Sequence, residues 1–233
     1  MKNIAIVTGG DSSESVISVQ SAEQVASLLD KSKYNLFVIN IKGSVWELTS
    51  DAYYGIPIDK NDFSFTYNGQ KTSFDAVFMA LHGTPGEDGT LQAYFNMLKI
   101  PYTTCSLLTS ALTFNKFSCN SYLRSLGVRL AKSVRIQKNQ SYKVEEVLAH
   151  VGLPCFVKPN NGGSSFGTTK VTAALQLDEA IAKALKEDNE AIIEQFIQGR
   201  EFTVGVFKTS EENIVFPVTE IISKNEFFDY ESK

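Results

Sequence analysis

Cysteine is scarce in this 233-residue chain: Cys105, Cys119 and Cys155 are far apart, odd in number, and form no CxxC pair. With only two histidines beside them they cannot build a convincing zinc site, and a reducing cytoplasm suits them. Excess positive charge is missing too. Lys and Arg total 22 against 26 Asp and Glu, a net −4, so electrostatics give no reason to expect nucleic acid or an anionic membrane as partner. Long apolar runs are absent, and nothing approaches the roughly 20 residues of a spanning helix. The run behind the N-terminal Met-Lys pair, Ile4–Val7, falls short of the roughly 7–15 residues of a signal core and reads as a buried strand. There is no internal repeat and no low-complexity linker.

What is present is an ordinary globular composition, 43% hydrophobic and 21% charged, at a length that allows one large or two ordinary domains. After the Ile4–Val7 strand and a Gly9-Gly10 turn, Val16, Val19, Ala22, Val25, Ala26 and Leu29 recur at helical spacing, predicting a helix over about Ser15–Asp30. Strands follow at Leu36–Ile41 and Ala76–Leu81, then a helix at Leu91–Leu98 and a short strand near Pro101–Thr103. Strands alternating with helices predict an α/β domain with a mostly parallel sheet, ending near residue 112.

A long helix over roughly Leu107–Leu126 is predicted to close at Gly127. Beyond it the pattern changes to α+β with mainly antiparallel pairing. Strands at Pro154–Val157, Thr168–Thr172 and Ala191–Phe196 surround a helix at about Leu177–Glu187. Two longer β runs, Glu201–Lys208 and Ile214–Ile222, are rich in Val, Phe, Ile and Thr. The expected division is residues 1–112, 113–193 and 194–233. Because Ser223–Lys233 reads as polar loop behind an edge strand with open partners, more protein is expected after Lys233.

The strongest local signal is the string FVKPNNGGSSFGTT over residues 156–169. A strand delivers Lys158, Pro159 disfavours helix there, and a loop of three glycines and two serines leads to a second strand. Such a loop can turn consecutive N–H groups toward one anion, with a lysine supplying point charge; it also reads as a plain flexible hairpin. It is neither a P-loop, which needs GxxxxGK[ST], nor a Rossmann turn, which joins a strand to a helix.

Three further segments carry polar groups in suggestive places. IIEQFIQGREFTV (192–204) is a strand, a connector able to bond an adenine edge, and a second strand; taken alone, a plain strand–turn–strand with surface acids is the preferred reading. ALHGTPGEDGT (80–90) follows the C-terminal end of a strand, where α/β sheets place ligands. There His82 can donate to a substrate carboxylate or merely pin a turn, and Glu87 and Asp88 read as turn and cap residues. In DSSES (11–15), Asp11 and Glu14 fit a capping box, the preferred reading, with Glu14 as holder of a ligand ammonium the alternative. Lys116 reads as a solvated helix lysine.

In order, the strings GGDSSESVISVQSA, ALHGTPGEDGTLQ, IPYTTCSLLTSALTFNK, FVKPNNGGSSFGTTKV, IIEQFIQGREFTV and FFDYESK resemble the D-alanine–D-alanine ligase family of ATP-grasp enzymes, over the whole chain. The resemblance implies an ATP-grasp domain after the α/β domain, incomplete at the C-terminus. It implies that Lys116 and Lys158 contact ATP phosphates, with Ser164, Ser165 and Gly167 on the covering loop. Glu194 would meet the adenine amino group, Phe196 and Ile197 the base, Glu201 the ribose, and Phe227 and Phe228 would lie beside the nucleotide. Glu14 would orient the first D-alanine's ammonium, His82 would stand near its carboxylate, and Lys233 would face phosphate and the second D-alanine. Catalytic parts fall to Glu14, Ser164 and Lys233.

Two departures stand out: Gly162 where many members carry Glu, and Val16 where an acid is usual. A Tyr, an Arg and the Asp, Glu and Asn ligands of Mg2+ (or Mn2+) would lie beyond Lys233, so the chain alone is expected to be inactive. The implied reaction uses ATP to convert one D-alanine to an acyl phosphate that a second D-alanine attacks, for peptidoglycan precursors. No side-chain nucleophile is needed, consistent with the lack of a Ser-His-Asp or Cys-His signature. The resemblance also implies a cytoplasmic homodimer formed through the first domain. The rivals are a relative taking D-lactate or D-serine second, with FDYESK arguing against D-lactate, and a non-catalytic nucleotide-binding fragment.

Overall fold

The protein's computed structural model describes residues 1–222. The first half comprises β1 (Lys2–Gly9), α1 (Ser15–Leu28), β2 (Tyr34–Lys42), β3 (Val45–Leu48), the hairpin β4 (Ser64–Tyr67) and β5 (Gln70–Ser73), β6 (Ala76–Met79) and α2 (Thr90–Leu98). Its main sheet runs β3-β2-β1-β6, with β1 parallel to both β2 and β6 and β3 antiparallel at the edge. A central parallel strand is covered on both faces, which is why Ile4–Val7 is apolar without alternation. Ala5 and Val7 enter a cluster with Phe37, Phe63, Phe65, Phe74 and Phe95, while Ile6 faces Ala22 of α1. Phe63 meets Phe95 edge-on with ring centroids 4.8 Å apart, an arrangement worth about 0.5–1.5 kcal/mol beyond the area it buries.

The expected strand near Pro101–Thr103 is only a parallel bridge between Val77 and Tyr102, held by Val77 N donating to Pro101 O and Thr103 N to Val77 O. The expected single helix is two, α3 (Leu107–Phe114) and α4 (Lys116–Ser125). Asn115 breaks it with extended backbone at φ −86°, ψ 101°, and its side chain accepts from Ser118 N, the N-cap role asparagine favours. Gly127 (φ +82°) does end α4: its N–H bonds to Arg124 O and Val128 N to Leu123 O, a Schellman closure.

The second sheet contains β7 (Ser133–Gln137), β8 (Cys155–Pro159), β9 (Thr169–Val171) and β10 (Glu190–Gln195) in the order β7-β10-β8-β9, antiparallel throughout, with α5 (Val144–Val151) and α6 (Leu177–Glu187). On α6 the buried residues Leu177, Ala180, Ile181 and Ala184 keep i, i+3, i+4, i+7 spacing. They pack against Val157, Val171 and Ile193.

The two long β runs expected near the end are each interrupted, giving β11 (Glu201–Thr203), β12 (Val206–Lys208), β13 (Asn213–Val215) and β14 (Thr219–Ile221). β11 pairs with β14 and β12 with β13. The breaks fall at Gly205 and Pro217, where one strand lacks a side chain and the other an N–H. Among the described residues, no helix is long and apolar enough to cross a membrane.

Candidate functional site

A cleft of about 650 Å³ opens between the two sheets. Ser12, Ser13 and Glu14, from the loop after β1, form one wall; Lys116 and Lys158 lie within; the hairpin of residues 161–166 forms the opposite wall; and Phe156 and residues 196–201 complete it. The loop after β1 leaves the C-terminal edge of a parallel sheet, the usual place for ligands.

The capping-box reading of Asp11 and Glu14 is corrected by this geometry. Asp11 Oδ1 accepts from Gly43 N at 2.6 Å, tying the loop to the β2–β3 turn. Glu14 occupies the N-cap position of α1 but makes no side-chain cap bond. Its carboxylate turns instead toward the hairpin. Ser164 Oγ donates to Oε1 at 2.7 Å, while Oε2 has no hydrogen-bond partner among the described residues although Glu14 is only 4% exposed. Gly163 lies so close that a Cβ there would stand 3.0 Å from Oε1.

Lys116 is no solvated helix lysine. As the first residue of α4 it reaches across to β8, and Nζ donates to Pro159 O at 3.0 Å and Gly162 O at 2.7 Å. Burial pushes its pKa down, and the Lys158 charge adds to this; Glu194, Asp188 and Glu14 oppose it. Lys158 Nζ is paired with Glu194 Oε2 at 2.7 Å, a partly buried contact. Glu194 also accepts from Asn120 Nδ2 at 3.0 Å.

The hairpin turns sharply: Gly162, Ser164, Ser165 and Gly167 all have positive φ, a sparsely allowed region for serine. Ser164 and Ser165 face the cleft. Gly167 does not; it sits behind the hairpin, where a Cβ would meet Pro159 Cγ at 2.9 Å and Glu187 Cγ at 3.0 Å.

Phe196, Ile197 and Glu201 line the cleft, whereas Glu194 is behind it, held by Lys158. His82 also stays outside the cleft surface. Its Nε2 is 2.9 Å from Ser21 Oγ and its N–H donates to Ser18 Oγ. Glu87 and Asp88 are turn and cap residues, accepting from Gly83 N and Thr90 N. Phe227, Phe228 and Lys233 lie outside the described residues.

Sequence reasoning passed over Ser13, whose Oγ donates to Glu187 Oε2 at 2.8 Å and links the loop after β1 to the end of α6. It also missed Asn160 and Asn161. The signal available was their position directly after Lys158-Pro159, but asparagines in a loop string look like turn formers.

Known proteins match the whole of this arrangement. The family described as D-ala D-ala ligase N-terminus matches residues 3–105, and D-ala D-ala ligase C-terminus matches residues 123–233. The D-alanine–D-alanine ligase of Phocaeicola vulgatus is 51% identical over 232 residues, covering 100% of this chain and 72% of that protein. That of Flavobacterium johnsoniae is 51% identical over 233 residues with the same coverage. Among solved structures, D-alanyl-alanine synthetase A from Vibrio cholerae superposes with a TM-score of 0.85 at 26% identity, over 99% of this chain and 70% of that one. The VanG D-Ala:D-Ser ligase from Enterococcus faecalis gives 0.82 at 33% identity, over 100% and 73%. The fold is therefore an α/β unit with a mostly parallel sheet followed by an ATP-grasp unit, the architecture of ATP-dependent carboxylate–amine ligases. The chain belongs to the D-alanine–D-alanine ligase family.

Proposed function

We propose that this protein serves the ATP-dependent joining of two D-alanines to D-alanyl-D-alanine for the cell wall. The observation that carries this reading is the meeting of Lys116, Lys158, the 161–166 hairpin and a Glu14 oxygen without a partner among the described residues around one cleft. A carboxylate is a poor electrophile while charged, so the first D-alanine takes ATP's γ-phosphoryl group, releasing ADP. The free amine of the second D-alanine then attacks the acyl carbon, the single bond from that carbon to the phosphate oxygen breaks, phosphate leaves and the nitrogen loses a proton.

The protein's own task is positioning and charge neutralisation. Lys116 and Lys158 face the phosphates, with the Ser164–Gly167 segment covering them; Phe196 and Ile197 flank the base and Glu201 takes the ribose. Glu194 reaches the adenine amino group from behind, while Lys158 holds it in place. Glu14 Oε2 receives the ammonium of the first D-alanine, with Ser164 holding the other oxygen. His82, fixed through Ser21 and Ser18, stands near the substrate carboxylate. Phe227 and Phe228 beside the nucleotide, and a catalytic Lys233, complete the proposal. Residues 1–112 form its amino-acid side, 113–193 the central ATP-grasp part and 194–233 the beginning of the next.

Magnesium or manganese accompanies ATP in this reading. Among the described residues, no group of three His, Cys, Asp or Glu side chains can hold a metal ion, so no step is assigned to it here. A cytoplasmic homodimer formed through residues 1–112 belongs to the same proposal. Likeness to the B. anthracis D-alanine–D-alanine ligase complexed with ATP, at a TM-score of 0.71 and 26% identity over 98% of this chain and 68% of that one, supports ATP as the nucleotide. The D-Ala:D-Ser neighbour at 33% identity keeps D-serine as a second reading for the second substrate.

Calorimetric titration with ATP, then with D-alanine in the presence of ATP, tests the proposal. ATP binding followed by selective binding of D-alanine over L-alanine is expected. No ATP binding, or equal binding of the two enantiomers, overturns it. Competition between D-alanine and D-serine in the ATP-loaded titration compares the two second-substrate readings.

A further inference from the structure

Asn160 closes β8 at the base of the hairpin and is fully buried, at 0% exposure. A buried primary amide must be satisfied on both its donor and acceptor sides, and each partner here is informative. Nδ2 donates to Glu190 Oε2 on β10 at 2.6 Å, and Oδ1 accepts from Phe117 N at 2.8 Å. On the main chain, Asn160 O accepts from Lys116 N at 3.0 Å and Asn160 N donates to Glu190 O at 2.8 Å. With Ser118 N bonded to Asn115 Oδ1, the first three N–H groups of α4 all have partners, two of them supplied by Asn160.

A helix N-terminus is an anion site only while its N–H groups are free. On α4 they are used to anchor the helix, and the only positive group it sends into the cleft is the Lys116 ammonium. Glu190 is in turn fixed by Arg135 at 3.2 Å and Gln137 at 3.3 Å. Burial raises its carboxyl pKa, but the bonds from Asn160 and Gln137 and the Arg135 charge outweigh that and hold it below its ordinary value.

We infer that Asn160 is the positioning residue for Lys116: a buried amide that carries the fixed geometry of Glu190 to the start of α4 and so sets where the ammonium meets the hairpin. This rests on the reading of Lys116 as a phosphate-contacting group. Because Asn160 follows Lys158 by two residues, directly after the end of the same strand, one side chain also fixes the spacing of the two lysines.

The test is a donor–acceptor swap. Asn160→Asp keeps the acceptor for Phe117 N but sets a carboxylate oxygen against Glu190. Adding Glu190→Gln restores the bond with its direction reversed, from residue 190 to residue 160. Acetylation of Lys116 by a limiting N-hydroxysuccinimide ester, followed by peptide mass spectrometry and referred to the exposed Lys33, reports the lysine's environment without any activity assay. Loss of a buried charge-assisted bond predicts labelling about tenfold faster in Asn160→Asp, returning to within about twofold of the parent in the double variant. ATP affinity should follow the same order.

If Asn160→Asp does not fold, the double variant alone decides: a folded protein with protected Lys116 upholds the inference. Unchanged labelling in a folded Asn160→Asp, or a double variant that fails to fold or to protect Lys116, overturns it. Labelling that behaves as expected in a chain that binds no ATP would keep the positioning role and discard the nucleotide reading, so the two fail separately.

Discussion

Ser164 Oγ and Glu14 Oε1 lie 2.7 Å apart although 150 residues separate them in sequence. The bond joins the glycine-rich hairpin of the second sheet to the loop that leaves β1 of the first. It satisfies one carboxylate oxygen and leaves the other, Oε2, buried without a partner among the described residues. Such an atom costs about 1–3 kcal/mol or more when it is charged. An amino-acid ammonium at that point removes the deficit, which gives the proposed substrate orientation a physical reason.

Glu14→Gln therefore has a selective effect. D-alanine affinity in the presence of ATP falls about 10- to 100-fold, the range for a charge-assisted bond, while ATP affinity changes less than about twofold. Calorimetry of both ligands checks this; equal loss of both would point to a structural role.

Gly163→Ala places a methyl group 3.0 Å from Glu14 Oε1 and 3.7 Å from its Cδ. The hairpin must shift or the Ser164 bond must lengthen, so faster amide hydrogen exchange over residues 162–168 is expected, with little change in the unfolding temperature. Unaltered exchange would show that the hairpin absorbs the methyl without moving.

Two tyrosines titrate late. Burial raises the Tyr94 pKa to about 12, with Asp62 and Asp59 adding to it; burial and then the Asp178 bond raise that of Tyr142 to about 12. The folded values lie above the unfolded value of 10.0, so their contribution to stability is complete below pH 10 and is lost as pH climbs toward 12. Absorbance of tyrosinate should show two of the nine tyrosines ionising last, and Tyr142→Phe should remove one. Simultaneous titration of all nine in the native protein would contradict this.

Ile193 is completely buried between α6 and the second sheet. Ile193→Ala should cost about 2–5 kcal/mol, as large-to-small core changes do, with a fall in denaturant midpoint and an unchanged slope. A loss under about 1 kcal/mol would mean that the second sheet repacks freely.

Much of the fold is legible in the sequence because its period is intact: the apolar run of β1, the four-residue stripe of α6 and the strand–glycine–strand string around Lys158 each specify one local structure. Legibility fails where a single polar residue acts through distant partners. Asn115 splits an otherwise continuous helical pattern only because its side chain caps α4. Asp11 and Glu14 have capping-box spacing, yet Asp11 is taken by Gly43 and Glu14 by Ser164, partners that no local pattern reveals. The hairpin of β4 and β5 and the short β3 are too brief for a period to register. The strings around Lys116 and Lys158 do mark the cleft, but Lys116 looks like a surface lysine until the fold brings Pro159 and Gly162 beneath it.

The central claim is that Lys116 and Lys158 act on the phosphates of one bound ATP. Titration of the folded Lys158→Ala and Lys116→Ala variants with ATP and with adenosine measures it most directly. Each variant should bind ATP at least about tenfold more weakly than the parent, the loss of one charge-assisted contact, while adenosine affinity stays within about twofold in Lys116→Ala, which leaves the Lys158–Glu194 pair intact. Equal ATP affinity in parent and variants, or parallel loss of ATP and adenosine binding in Lys116→Ala, would contradict the account.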